Sequence, residues 1–150
     1  MVRVQEEDFD IGRECSLISE GNADVGAMVT FVGLVRDLNE GEKISELTLE
    51  HYPKMTEVAL NQIVKEANSR WNIIDTTIVH RVGKLKPMDQ IVLVVVISSH
   101  RGEAFKACEF IMDYLKTKAP FWKKEKTSSG DRWVEERVTD EHAADRWKVR

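Results

Sequence analysis

The order of patterns in this chain predicts an α+β fold, a mostly antiparallel sheet with helices packed against it. Two observations carry most of that expectation. Ile91 to Ser98 is continuously apolar up to its final serine, as a strand covered on both faces must be. Gly102 to Lys116 sets Ala104, Phe105, Cys108, Ile111, Met112 and Leu115 on one helical stripe. No linker, repeat or low-complexity tract divides the 150 residues. That length suits one domain with a real core, so residues 1–150 are expected to form a single domain.

The elements follow in order. Asp10 to Glu20 carries Ile11, Cys15 and Ile18 at helical spacing, and Gly21 stops it. Val25 to Val32 is rich in strand formers and ends at Gly33. Asn39 to Glu42 is a turn. Ile44 to His51 alternates, with Leu47 and Leu49 on one face, which predicts a half-buried strand. Pro53 suits the first turn of a helix, and Met55, Val58, Ala59, Ile63 and Ala67 continue it to Trp71. Ile73 to Val82 is a strand, and Gly83 to Asp89 a connector with a proline turn. Pro120 ends the long helix. Thr127 to Arg150 is polar, with a loop at Ser128 to Asp131 and Trp133 and Trp147 as anchors.

Composition excludes several classes. Hydrophobic residues are 42% and charged residues 32%, which suits a globular chain and not a disordered one. A net charge of -4 predicts no general affinity for nucleic acid or an anionic membrane, so any anion site must be a local concentration of charge. Acidic residues occupy the N-terminus where a signal peptide needs an apolar core. The longest apolar run is too short to span a bilayer. Cys15 and Cys108 sit at apolar helical positions with no metal spacing, which predicts two buried thiols in a reducing cytoplasm. There is no GxSxG, Walker A or GxGxxG motif. His51 and His80 fall in strand patterns and are expected to be structural, and His142 to be solvated.

Three basic stretches could hold an anion. In FVGLVRD, Phe31 to Asp37, a strand ends at Gly33 and Arg36 follows in the exit. In SSHRG, Ser98 to Gly102, His100 and Arg101 stand at the start of the long helix, where backbone N–H groups are free. Two cations there oppose the helix dipole, a conflict that an anionic partner would remove; a plain surface loop is the other reading. In YLKTKAPFWKKEK, Tyr114 to Lys126, Lys116 follows the apolar stripe. Partial shielding there would suit it to nucleophilic or proton-transfer chemistry. Lys123 and Lys124 come just after Phe121 and Trp122. A pocket wall and a basic surface over buried aromatics both fit that stretch.

Six pieces in compact order, FVGLVRD, LTLEHYPKMTE, HRVGKL, SSHRGEAF, DYLKTKAPFWKKE and GDRWVE, resemble the large, catalytic subunit of molybdopterin synthase. The resemblance runs from about Val25 to Trp147. It implies an α/β hammerhead with an additional antiparallel β-sheet. It implies transfer of sulfur to cyclic pyranopterin monophosphate (precursor Z) to form the molybdopterin dithiolene. The sulfur would come from the C-terminal thiocarboxylate of a small ubiquitin-like subunit, and the assembly would be a homodimer within a heterotetramer. No resident cofactor or metal is implied, and the location would be cytoplasmic. By the same resemblance Lys116 and Lys123 are the catalytic lysines, and Arg36, His100, Arg101, Lys124, Arg137 and Phe31 bind substrate. Arg137 would reach the neighbouring subunit's site. Phe31, Met112 and Pro120 would shape the pocket, and Lys124 stands where some relatives carry arginine. Two further departures are Leu34, where relatives can be polar or basic, and Met88, where glycine is common. The rival reading is a non-catalytic module that binds a phosphorylated ligand or an anionic peptide tail with the same cations.

Overall fold

The computed structural model describes residues 1–134 and 138–148. In chain order the elements are β1 (Val2–Gln5), α1 (Ile11–Ser19), β2 (Ala27–Leu34), β3 (Leu38–Asn39), β4 (Glu42–His51), α2 (Met55–Arg70) and β5 (Asp75–Arg81). Then follow β6 (Gly83–Leu85), β7 (Gln90–Ser98), α3 (Arg101–Lys118), β8 (Phe121–Thr127), β9 (Gly130–Val134) and α4 (Val138–Asp145). The first sheet has the order β1-β5-β7-β2, antiparallel except for the parallel β1–β5 pair. The second has the order β3-β4-β8-β9, with β6 also on β4, and is antiparallel throughout. The expected α+β class is the observed one.

β7 is covered on both faces, as its apolar run predicts. Val92, Val94 and Val96 pack with Leu60 and Ile63 of α2 and Ile111 and Leu115 of α3. Leu93 and Val95 point the other way, against Phe9 and the Ile11, Cys15 and Ile18 face of α1. A third cluster, Val35, Leu47, Leu49, Val82 and Leu85, gathers residues of β4, β6 and the loops beside them. α1 begins where Asp10 accepts a hydrogen bond from the Arg13 amide at 2.9 Å and stops before Gly21 at φ +69°.

Several elements differ from expectation, each for a physical reason. β1 is unanticipated; four residues beside an acidic run give too short a pattern to read. β8 and β9 form a hairpin across Ser128 and Ser129, where the sequence suggests only a basic stretch and a loop. The inward side chains of β8 are Phe121, Lys123 and Glu125, so its alternation is not one of hydropathy. In α2, Met55 and Val58 are exposed and Thr56 is buried. Thr56 Oγ1 donates to the Pro120 carbonyl at 3.1 Å and accepts from the Tyr52 amide, which rotates the helix away from the expected stripe. In α3, Phe105 is exposed, whereas Phe110 is buried against Trp71, Tyr114 and Trp147. Trp147 is an anchor, its Nε1 donating to Asp113 at 2.6 Å; Trp133 is not, being exposed. Cys15 is half-buried and not fully enclosed, whereas Cys108 is buried.

Candidate functional site

A cleft of about 400 Å³ opens where the end of β2, the second sheet and the C-terminal turn of α3 meet. Each wall follows from local structure. The β2–β7 register shifts between Gly33 and Leu34, which turns the chain outward and sets Arg36 at the rim. A Cβ at Gly33 would sit 2.9 Å from Val92 Cγ1, so the glycine keeps that strand close to β7. α3 ends with Leu115 buried and Lys116 exposed beside the cleft. Strand alternation in β8 then brings Phe121, Lys123 and Glu125 to the same wall.

The floor is apolar apart from one ring. Ile91, Val92 and Leu115 border it, with His80 of β5 beneath. His80 stacks on Phe121 with centroids 3.8 Å apart and an interplanar angle of 16°. Its Nδ1 lies 2.8 Å from the Arg81 carbonyl oxygen. Burial, together with the positive charges of Lys116 and Lys123, pushes the imidazole down to about 3, so it is neutral at physiological pH. The unfolded chain accepts a proton that the folded ring refuses. This group therefore contributes a loss of stability as pH falls from the ordinary histidine range towards 3.

Glu125 is the buried carboxylate of the wall. Asn39 Nδ2 reaches both its oxygens at 3.1 Å, and Arg132 Nε donates at 3.1 Å. Its charge is thus compensated inside the fold, and among the described residues that line the cleft Arg36, Lys116 and Lys123 outnumber the remaining carboxylate, Asp140. Such a site favours an anion.

The sequence-predicted residues divide into two groups. Phe31, Arg36, Lys116 and Lys123 come together at the cleft. Lys116 is exposed, not shielded as its place beside the stripe suggests. His100 and Arg101 lie at the opposite end of α3, about 22 Å from Lys116 by helical rise, and both are exposed. Lys124 faces away from the cleft because alternation opposes it to Lys123; its Nζ stands 5.7 Å from the centroid of Trp133. Met112 belongs to the core, and Pro120 contributes a carbonyl to Thr56. Arg137 lies outside the described residues. Sequence reasoning passed over Glu125 and Asn39; the period-2 set Phe121, Lys123, Glu125 was the available signal for the former.

Fold and cleft define an α+β protein with a cationic, apolar-floored recess. The family model described as MoaE protein matches residues 4–118. A molybdopterin synthase catalytic subunit of Ralstonia nicotianae is 60% identical over 148 residues, covering 99% of this chain and 84% of that one. Its counterpart in Escherichia coli is 55% identical over 139 residues, covering 93% and 92%. Among solved structures, the molybdopterin biosynthesis MoaE protein of Burkholderia ambifaria superposes with a TM-score of 0.85 at 53% identity, covering 100% and 99%. Molybdopterin synthase of Staphylococcus aureus superposes with a TM-score of 0.82 at 36% identity, covering 89% and 96%. The chain belongs to the MoaE family, that of the molybdopterin synthase catalytic subunits.

Proposed function

We propose that this chain is a sulfurtransferase, the catalytic subunit of a molybdopterin synthase. It takes sulfur from the C-terminal thiocarboxylate of a small ubiquitin-like subunit and places it on cyclic pyranopterin monophosphate. The observation that carries this reading is the convergence of Lys116 and Lys123, from different elements, on one apolar-floored cleft in a member of this family. A thiocarboxylate tail is thin and anionic, and the pterin is flat at one end and phosphorylated at the other. A recess with an aromatic wall and cationic rim suits both.

In this reading the tail enters beside Lys116, its sulfur bonds to a side-chain carbon of the pterin as the C–O bond at that carbon breaks, and Arg36 and Lys123 offset the negative charge on the departing oxygen, which keeps the electron pair of that bond. The acyl–sulfur bond then breaks. The acyl carbon passes to the Lys116 amine or to water, and the thiolate stays on the pterin. After an acyl-lysine, water returns the amine and releases the partner as a carboxylate. A second charged partner supplies the second sulfur. His100 and Arg101 are too far along α3 to serve their own cleft, so they act on the cleft of a second copy, in a homodimer within a heterotetramer. Arg137 keeps the phosphate-binding role that the resemblance implies; Lys124 is left outside the site. We take residues 1–150 as one domain working in the cytoplasm, where free Cys15 and Cys108 stay reduced.

Reconstitution tests this. The protein is mixed with thiocarboxylated small subunit and cyclic pyranopterin monophosphate, and dithiolene pterin is followed by mass spectrometry. Wild type should yield product and Lys116→Ala none. Lys116→Arg keeps the charge but not the reactive amine, and should also fail. Full turnover by Lys116→Arg would remove the reactive amine from the mechanism, and binding of either ligand by the wild type without product would favour the non-catalytic binding module.

A further inference from the structure

The buried ring of His80 belongs to the cleft, yet neither the sequence nor the roles above give it chemistry. A carbonyl oxygen can only accept, so the 2.8 Å contact to the Arg81 carbonyl places the imidazole proton on Nδ1. The neutral ring then carries a bare lone pair on Nε2. Among the described residues no hydrogen bond reaches that atom, and His80 lines the cleft. The ring itself cannot drift, because it is 4% exposed and stacked on Phe121. The charged or titratable groups acting on it are Lys116 of α3, Lys123 of β8 and His51 of β4, in that order of strength.

We propose that His80 is a positioning residue whose Nε2 is the fixed acceptor on the cleft floor against which the amino group of Lys116 is set. Lysine Nζ has an N–H to donate as ammonium, as free amine and as acyl amide, so one acceptor serves every state of the cycle. The inference rests on the proposed function for its catalytic meaning, but the proposed contact between the two side chains can be tested without it.

The first test is the nitrogen NMR spectrum of His80 in the wild-type protein and in Lys116→Ala. The expected result is the neutral Nδ1–H tautomer from pH 7 down to pH of about 4, with the Nε2 resonance moving when Lys116 is removed. An Nε2–H tautomer, or an Nε2 resonance indifferent to Lys116→Ala, overturns the proposal. The second test is His80→Phe, which keeps a stacked ring and removes the acceptor. It should lower kcat by up to about 100-fold with the KM for the charged small subunit unchanged. A folded His80→Phe enzyme with wild-type kcat overturns it as well. If the wild type makes no dithiolene while the Nε2 resonance responds to Lys116, the synthase reading fails and the positioning contact stands.

Discussion

Environment sets reactivity more than residue type does, and the two cysteines separate on that ground. Burial pushes the Cys108 thiol up to about 12, with Glu109 adding to the effect, so thiolate is scarce at any ordinary pH. Cys15 is half-buried, with its Sγ 3.6 Å from Thr30 Oγ1. Iodoacetamide on the native protein should therefore give one adduct, on Cys15, with Cys108 reacting only in denaturant. Peptide mapping that finds native Cys108 alkylated first would contradict the burial argument. The sequence puts both thiols on helical stripes and so treats them alike; which stripe is sealed depends on the sheet beneath it. The same holds for Lys116. Its position after Leu115 is legible in the chain, but its exposure depends on where the second sheet comes to rest.

At the scale of elements, legibility followed the purity of the pattern. β7 and α3 are read from hydropathy alone because each buries a continuous apolar surface. β8 is not, because its inward positions hold an aromatic, a cation and a paired carboxylate. The segment that leads through His100 into α3 at Arg101 shows another hidden determinant. A Cβ on Gly26, just before β2, would lie 2.1 Å from the Ser99 carbonyl oxygen, and the Gly26 amide donates to the Ser98 carbonyl at 3.0 Å. The backbones are in direct contact there, with no side chain that could yield. Gly26→Ala should displace the Ser99–Arg101 segment and cost about 1–3 kcal/mol of stability, the usual penalty for overpacking. Urea melts would measure the cost, and wild-type stability would show that the loop can move freely. Nothing in the sequence distinguishes Gly26 from an ordinary glycine, since the contact joins segments far apart in the chain.

For the whole molecule, the six motifs of the family resemblance do not converge on one place. Lys116 and Lys123 meet Arg36 at the cleft, whereas His100 and Arg101 stand at the far end of a rigid 18-residue helix. Sequence order cannot show that separation, because a motif list carries no distances. If both groups serve one reaction, each active site must draw on two copies of the chain, and symmetry then dictates a specific outcome. Lys116→Ala and Arg101→Ala are each expected to be inactive or nearly so as homodimers. Co-expressed with different tags and purified through both, they form a mixed dimer. One of its clefts then lacks both groups, and the other has both. That dimer should recover about half of the wild-type activity, because one of its two symmetric sites is intact. If each cleft instead used its own chain's Arg101, both sites of the mixed dimer would carry one lesion and no activity would return. Dithiolene formation by the doubly purified dimer, set against each parent variant, decides between the two arrangements.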